Sequence, residues 1–195
     1  MLEQLKHKFH LNDSQWELFS SCLKKLKVPA KTTLLQEGEI AKRIFFIEKG
    51  CIRVLFNHDG RDLTLQFFFE NETVASMESF KKGAPSLMGM ETIEPCTLWF
   101  ISKHDLDLLL PELEKVSGLR NKFTEYLFER MFLYMRHFFS FIKDSPLERY
   151  QNLIQEKPIV IQRVPQHYIA SYLGISSVHL SRIKSQLVRK NMKSS

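Results

Sequence analysis

Two hydrophobic periods alternate along this chain. In residues 1–27 the apolar positions Trp16, Phe19, Leu23 and Leu26 recur at intervals of three and four, and Asn12, Asp13 or Ser14 stands ready to cap, which predicts a short helical opening. After Pro29 the period shortens. Runs rich in β-branched and aromatic residues at 33–36, 44–48, 52–56, 63–69 and 97–101 alternate with turn signals. Those signals are Glu37-Gly38-Glu39, Lys49-Gly50, Asn57-His58-Asp59-Gly60 and Lys82-Gly83-Ala84-Pro85. Short strands at this spacing predict a closed or sandwiched antiparallel β unit.

From Pro111 to Pro146 only Gly118 interrupts an otherwise helix-compatible stretch, so a helix running for many turns is predicted. Its apolar positions form two adjacent stripes. Leu127, Met131, Tyr134, Phe138 and Phe141 make one, and Phe128, Phe132, Met135, Phe139 and Ile142 make the other. Such a face is too wide for one partner surface. One stripe can lie on the β unit and the other on a second copy of the same helix, giving a two-fold homodimer, while a central core helix of a monomer stays open as the alternative.

Charge changes the picture at the C-terminus. Through residue 142 the 19 basic residues are matched by 19 acidic ones, whereas residues 143–195 hold nine basic residues against Asp144, Glu148 and Glu156. No acid follows Glu156, so this tail would meet a polyanion without local repulsion. Cys22, Cys51 and Cys96 are far apart and lack ligand spacing, which fits a reducing cytoplasm, no metal and no cofactor. The sequence shows no signal peptide and no apolar run long enough for a membrane span.

Inside the basic tail lies Pro165-Gln166-His167-Tyr168-Ile169-Ala170-Ser171-Tyr172-Leu173-Gly174-Ile175-Ser176-Ser177-Val178-His179-Leu180-Ser181-Arg182-Ile183. Pro165 can open a helix, Ala170 lets two helices cross closely, Gly174 can take the positive φ that ends the first, and Ser176 can cap the second. Ile169, Leu173, Ile175, Leu180 and Ile183 then face inward. That leaves Ser177, Val178, Ser181, Arg182 and Ser185 outward with His179 at the flank, on a helix able to enter a major groove. Gln166, His167, Ser176, Ser177, Val178, His179, Ser181 and Arg182 are therefore the candidate DNA-binding residues.

Taken together, these segments resemble the cyclic-AMP-receptor/Fnr (Crp/Fnr) family over nearly the whole chain. The resemblance rests on Leu35-Gln36-Glu37-Gly38-Glu39, the run from Ile44 through Lys49-Gly50-Cys51 to Val54, Asp59-Gly60-Arg61, and the helix-turn-helix. It implies an α+β fold: an N-terminal antiparallel β-roll (a double-stranded β-helix of the cyclic-nucleotide-binding kind) in 1–110, a dimerisation helix in 111–144, and a C-terminal winged helix-turn-helix in 145–195. Residues 159–164 read as strand material for a small sheet against the helix-turn-helix, although only a short basic tail, 187–195, follows the second helix where family members often carry further wing or helix structure. Implied partners are double-stranded DNA, a second copy through Leu127, Met131, Tyr134, Phe138 and Phe141, RNA polymerase, and an unidentified small-molecule effector.

The family's phosphate cassette carries a Gly-Glu pair for the ribose and an Arg-Ser pair for the cyclic phosphate. Setting Phe80 and Gly83 on that cassette places Ala75-Ser76 and Ser86-Leu87 at the two pairs, a degenerate pocket from which the charged ligands are missing. Cyclic AMP is not expected as effector. Neither is an iron-sulfur cluster, since Cys22 stands alone at the N-terminus. Beside a DNA-binding regulator, a small-molecule module signalling through protein contacts remains open. A cupin-like enzyme would need histidines grouped on strands, and the β region offers only His58 and His104.

Overall fold

The computed structural model describes residues 2–8, 11–113, 115 and 118–193. Two short helices open the chain, α1 (Leu2–Lys8) and α2 (Asp13–Ser21). Asn12 caps α2 reciprocally: its side chain accepts the Gln15 amide, and the Gln15 side chain accepts the Asn12 amide.

The helical opening ends sooner than the apolar spacing suggests. Residues 24–28 form strand β1 (Lys24–Val28), paired antiparallel with the last strand, β8 (Cys96–Ser102). Leu23 and Leu26 fit a helical stripe, but the alternation through Leu26 and Val28 fits a strand equally well, and the open edge of β8 decides between them.

Between these lie β2 (Thr33–Leu35), β3 (Arg43–Lys49), β4 (Ile52–His58), β5 (Arg61–Phe68), β6 (Thr73–Val74) and β7 (Gly89–Thr92). They build two four-stranded antiparallel sheets, ordered β1-β8-β3-β6 and β2-β7-β4-β5. The sheets share an apolar interior in which Phe45, Ile47 and Leu98 meet Ile52, Val54 and Met90. At the β3–β4 turn Gly50 has φ +107°, and a Cβ there would stand 2.4 Å from Cys96 Sγ, so only glycine fits. Helix α3 (Met77–Lys82) links β6 to β7. The outer face of the first sheet is covered by α1, α2 and α4 (Lys103–Leu113), through Leu5, Phe19, Phe46, Ile101 and Leu109.

The single helix expected from residue 111 is two. Pro111 falls in the last turn of α4, and α5 (Leu119–Lys143) starts afresh after Gly118, whose φ of +80° no continuous helix could hold. Four helices complete the chain: α6 (Pro146–Glu156), α7 (Pro158–Arg163), α8 (Gln166–Tyr172) and α9 (Ser177–Lys193). Here the expected strand at 159–164 is overturned. Its β-branched residues sit behind Pro158 at the first helical position, and they coil to bury Val160 and Val164 against the neighbouring helices. Among the described residues no strand follows α5, so the expected wing is absent.

Candidate nucleic-acid interface

The last two helices are built as the local chemistry requires. Ile169, Ala170, Leu173, Leu180 and Ile183 are buried in one cluster with Tyr150, Leu153 and Val160, and nearly complete burial of Ala170 lets the helices cross closely. Gly174 ends α8 with φ +68°, and Ser176 Oγ accepts the His179 amide at 3.2 Å to cap α9. Gln166, His167, Ser176, Ser177, Val178, His179, Ser181 and Arg182 are all exposed. The N-terminal half of α9 thus shows solvent a run of short side chains with the Arg182 guanidinium fork among them.

Not all of the tail's positive charge faces outward. Arg163 is clamped by Glu70, at 2.7 and 2.8 Å, and by Glu94. That guanidinium holds the Glu70 carboxyl down at about 2. Arg149 donates to the Asp144 and Leu173 carbonyls at 2.9 and 3.0 Å, tying the end of α5 to the end of α8. Burial lowers the Lys157 pKa. Arg182 and Arg189 remain exposed, with Lys184 half-buried, while the side chains of Lys190 and Lys193 lie outside the described residues.

These contacts dock the helical head on the second sheet, along the edge strand β5. The Thr64 amide donates to Ser171 Oγ at 2.9 Å, and Ser171 Oγ donates to the Asp62 carbonyl at 3.2 Å. Tyr168 stacks under the Arg53 guanidinium at 4.0 Å, and Tyr172 packs on Phe67. Sequence reasoning missed Arg53, Arg163, Tyr168 and Ser171 as a group, because their partners lie far away along the chain and no local spacing announces them.

Helix α5 carries neither predicted stripe against its own β unit as a buried seam. A third stripe, Tyr126, Arg130, Leu133 and His137, is the half-buried one. Arg130 lies over the Phe68 ring and 3.7 Å from Glu72, and His137 Nδ1 is 3.2 Å from the Tyr172 hydroxyl. Burial, followed by the nearby Lys157 and Arg149 charges, lowers the His137 pKa. Leu127, Met131, Tyr134, Phe138 and Phe141 are exposed, as are Phe128, Phe132, Met135, Phe139 and Ile142. The first stripe, through Leu127, Met131, Tyr134 and Phe138, faces an open apolar trough of about 1240 Å³ shared with the first sheet, α3 and α4.

The cassette region is closed on itself. Ser76 and Ser86 are buried and joined by a 2.8 Å bond from Ser86 Oγ to Ser76 Oγ, and Ser79 Oγ bridges the Ala41 amide and the Ala84 carbonyl. Ala75 borders the trough. Leu87, expected to line the pocket, is 76% exposed and faces solvent, because Ser86 anchors the turn through the Met88 backbone and leaves its neighbour on the outside.

The cyclic nucleotide-binding domain family model matches residues 25–112. A 58-residue stretch, 29% of this chain and 28% of the relative, is 29% identical to the cAMP-activated global transcriptional regulator CRP of Salmonella typhimurium. The matched stretch therefore spans about a quarter of that curated relative. The structure of the c-di-GMP-responsive global regulator CLP of Xanthomonas campestris superposes with a TM-score of 0.72 at 18% identity, over 92% of this chain and 93% of that one. A structure assigned to the crp/fnr family of transcriptional regulators, from Eubacterium rectale, gives 0.71 at 16% identity over 93% and 85%. The chain has the Crp/Fnr-like fold. At these identities the superpositions establish the fold. Within the Crp/Fnr frame the β-roll comprises β1 to β8, and α5 is the central helix joining roll to head.

Proposed function

We propose that this chain is a regulator of the Crp/Fnr family, dimeric and sequence-specific in binding DNA, that does not respond to cyclic AMP. The observation that carries the reading is the exposed face of α9, where Ser177, Val178, Ser181 and Arg182 stand on a helix fixed by a serine cap and a left-handed glycine. Small side chains allow close approach to base edges, and the Arg182 fork matches the two acceptors of guanine. Residues 145–195 form the DNA-binding unit, 111–144 the dimerising segment and 1–110 the β-roll sensor with its N-terminal helix. Leu127, Met131, Tyr134, Phe138 and Phe141 meet the same residues of a second copy, setting two α9 helices on one duplex.

The cassette argues against the cyclic nucleotide. A phosphate entering between Ser76 and Ser86 would break their mutual hydrogen bond, and the cassette positions Ala75-Ser76 and Ser86-Leu87 carry no arginine to receive it. RNA polymerase is the natural further partner and the cytoplasm the natural place. No helix among the described residues is long and apolar enough to cross a membrane.

Selection of operators from a random duplex pool tests the reading. The full chain should select a palindrome, bind it more weakly as salt rises, and bind it equally with and without cyclic AMP. Arg182→Ala should cost about 1–3 kcal/mol at one base pair of each half-site while leaving other positions unchanged. An equal loss on every sequence would assign Arg182 to a phosphate, and no selected sequence at low salt would end the DNA-binding reading.

A further inference from the structure

An edge strand in a folded protein ordinarily needs cover, because its outward amides and carbonyls would otherwise stay unpaired. In the order β2-β7-β4-β5 the last strand is such an edge. The helical head supplies the cover. Ser171 takes the outward Thr64 amide and donates to the Asp62 carbonyl, so one hydroxyl of α8 continues the ladder that no strand continues. Phe67 and Phe69 point to this side and join the core of the head, while Phe68 points into the roll. Arg163 then fastens the far end, where Glu70 and Glu94 grip it from the strand termini.

The seam is not built like a permanent core. Arg53 is 3% exposed, its charge shared between Glu91 at 3.3 Å and Asp62 at 3.5 Å, and its Nε has no hydrogen-bond partner among the described residues. Thr64 Oγ1, on β5 beside the Ser171 contact, is buried and equally unpartnered among the described residues. A half-satisfied polar layer costs stability for as long as it stays closed, and opening it returns those groups to water. Closed, it hides none of the exposed α9 face.

We infer that the β5 edge is a reversible docking rail for the DNA-reading head, and that the docked state is the DNA-competent one, held by contacts with the roll instead of by a bound nucleotide. This rests on the DNA-binding reading of α9. The rail residues fix the angle at which α8 and α9 leave the roll. Releasing them frees the head to sample many orientations, of which few suit a duplex.

The test uses the full chain with Arg163→Ala, and Ser171→Ala as a milder second variant that leaves the ion pairs intact. Amide hydrogen exchange across β5 and α8 is measured without DNA, and affinity is measured on the operator selected by the wild type. Both variants should exchange faster in β5 and α8 with β3 and β8 unchanged, and Arg163→Ala should weaken operator binding by about tenfold, the scale of a modest population shift. Unchanged exchange in β5 for both variants would overturn the rail. Faster exchange with equal or tighter operator binding would overturn the claim that the docked state is the competent one. If the wild type selects no operator, the reading of α9 fails, and the exchange measurement still decides whether the rail opens.

Discussion

Gly174 shows how much one position can carry. Its φ of +68° ends α8, and the Cβ of any other residue would stand 3.0 Å from Cε1 of Phe141 on the central helix. Conformational strain and collision therefore act together. Gly174→Ala should destabilise the protein by about 1–2 kcal/mol, the ordinary cost of a left-handed non-glycine residue, with some addition if Phe141 cannot shift. Chemical denaturation of the two proteins measures the difference, and an unchanged midpoint would mean that the turn relaxes freely. The sequence announced this residue well, since glycine before a capping serine is a local signal. It announced the buried hydroxyl of Ser86 only by default, as part of the Ser86-Leu87 pair standing where the family carries Arg-Ser. That Leu87 turns to solvent depends on the hydrogen bonds of its neighbour, which no spacing rule encodes.

Among elements, the strands of the roll were readable where they were long and alternating, as in β3, β4 and β5. The two-residue β6 and the glycine-led β7 carry too few side chains to show a period. Helix α7 departs from its local signal because Ile159, Val160, Ile161 and Val164 favour strands in isolation, while Pro158 and packing against the head favour a turn of helix. Helix α5 was foreseen as greasy on two stripes, but the stripe that touches its own chain is a third and more polar one. Both apolar stripes thus remain for a partner. Met131→Glu, at the middle of the first stripe, should convert a dimer into a species of half the mass in sedimentation, because two carboxylates would be pressed together across the two-fold axis. A variant that sediments like the wild type would move the seam elsewhere.

At the scale of the whole molecule, sequence reasoning reached the parts and their order but not their mutual placement. The head meets the roll through pairs such as Arg163 with Glu70 and Thr64 with Ser171, which are 93 and 107 residues apart. Basic residues that looked like one polyanion-facing set divide into Arg149, Lys157 and Arg163, used inside, and Arg182 and Arg189, left outside. Arg163 is drawn inward by Glu70 and Glu94 of the roll, which the tail alone does not reveal, whereas Arg149 is taken up by the backbone carbonyls of Asp144 and Leu173.

The 25-residue central helix has no buried residue in a single copy. A solitary chain would carry a wet hydrocarbon flank from Phe123 to Ile142 and would be prone to stick to others like it; in the proposed dimer, acquiring the native shape and finding a twin would be one event. The melting temperature should then climb as the protein is made more concentrated, and calorimetry over a hundredfold dilution series would see it. A midpoint indifferent to dilution would describe a chain that stands alone.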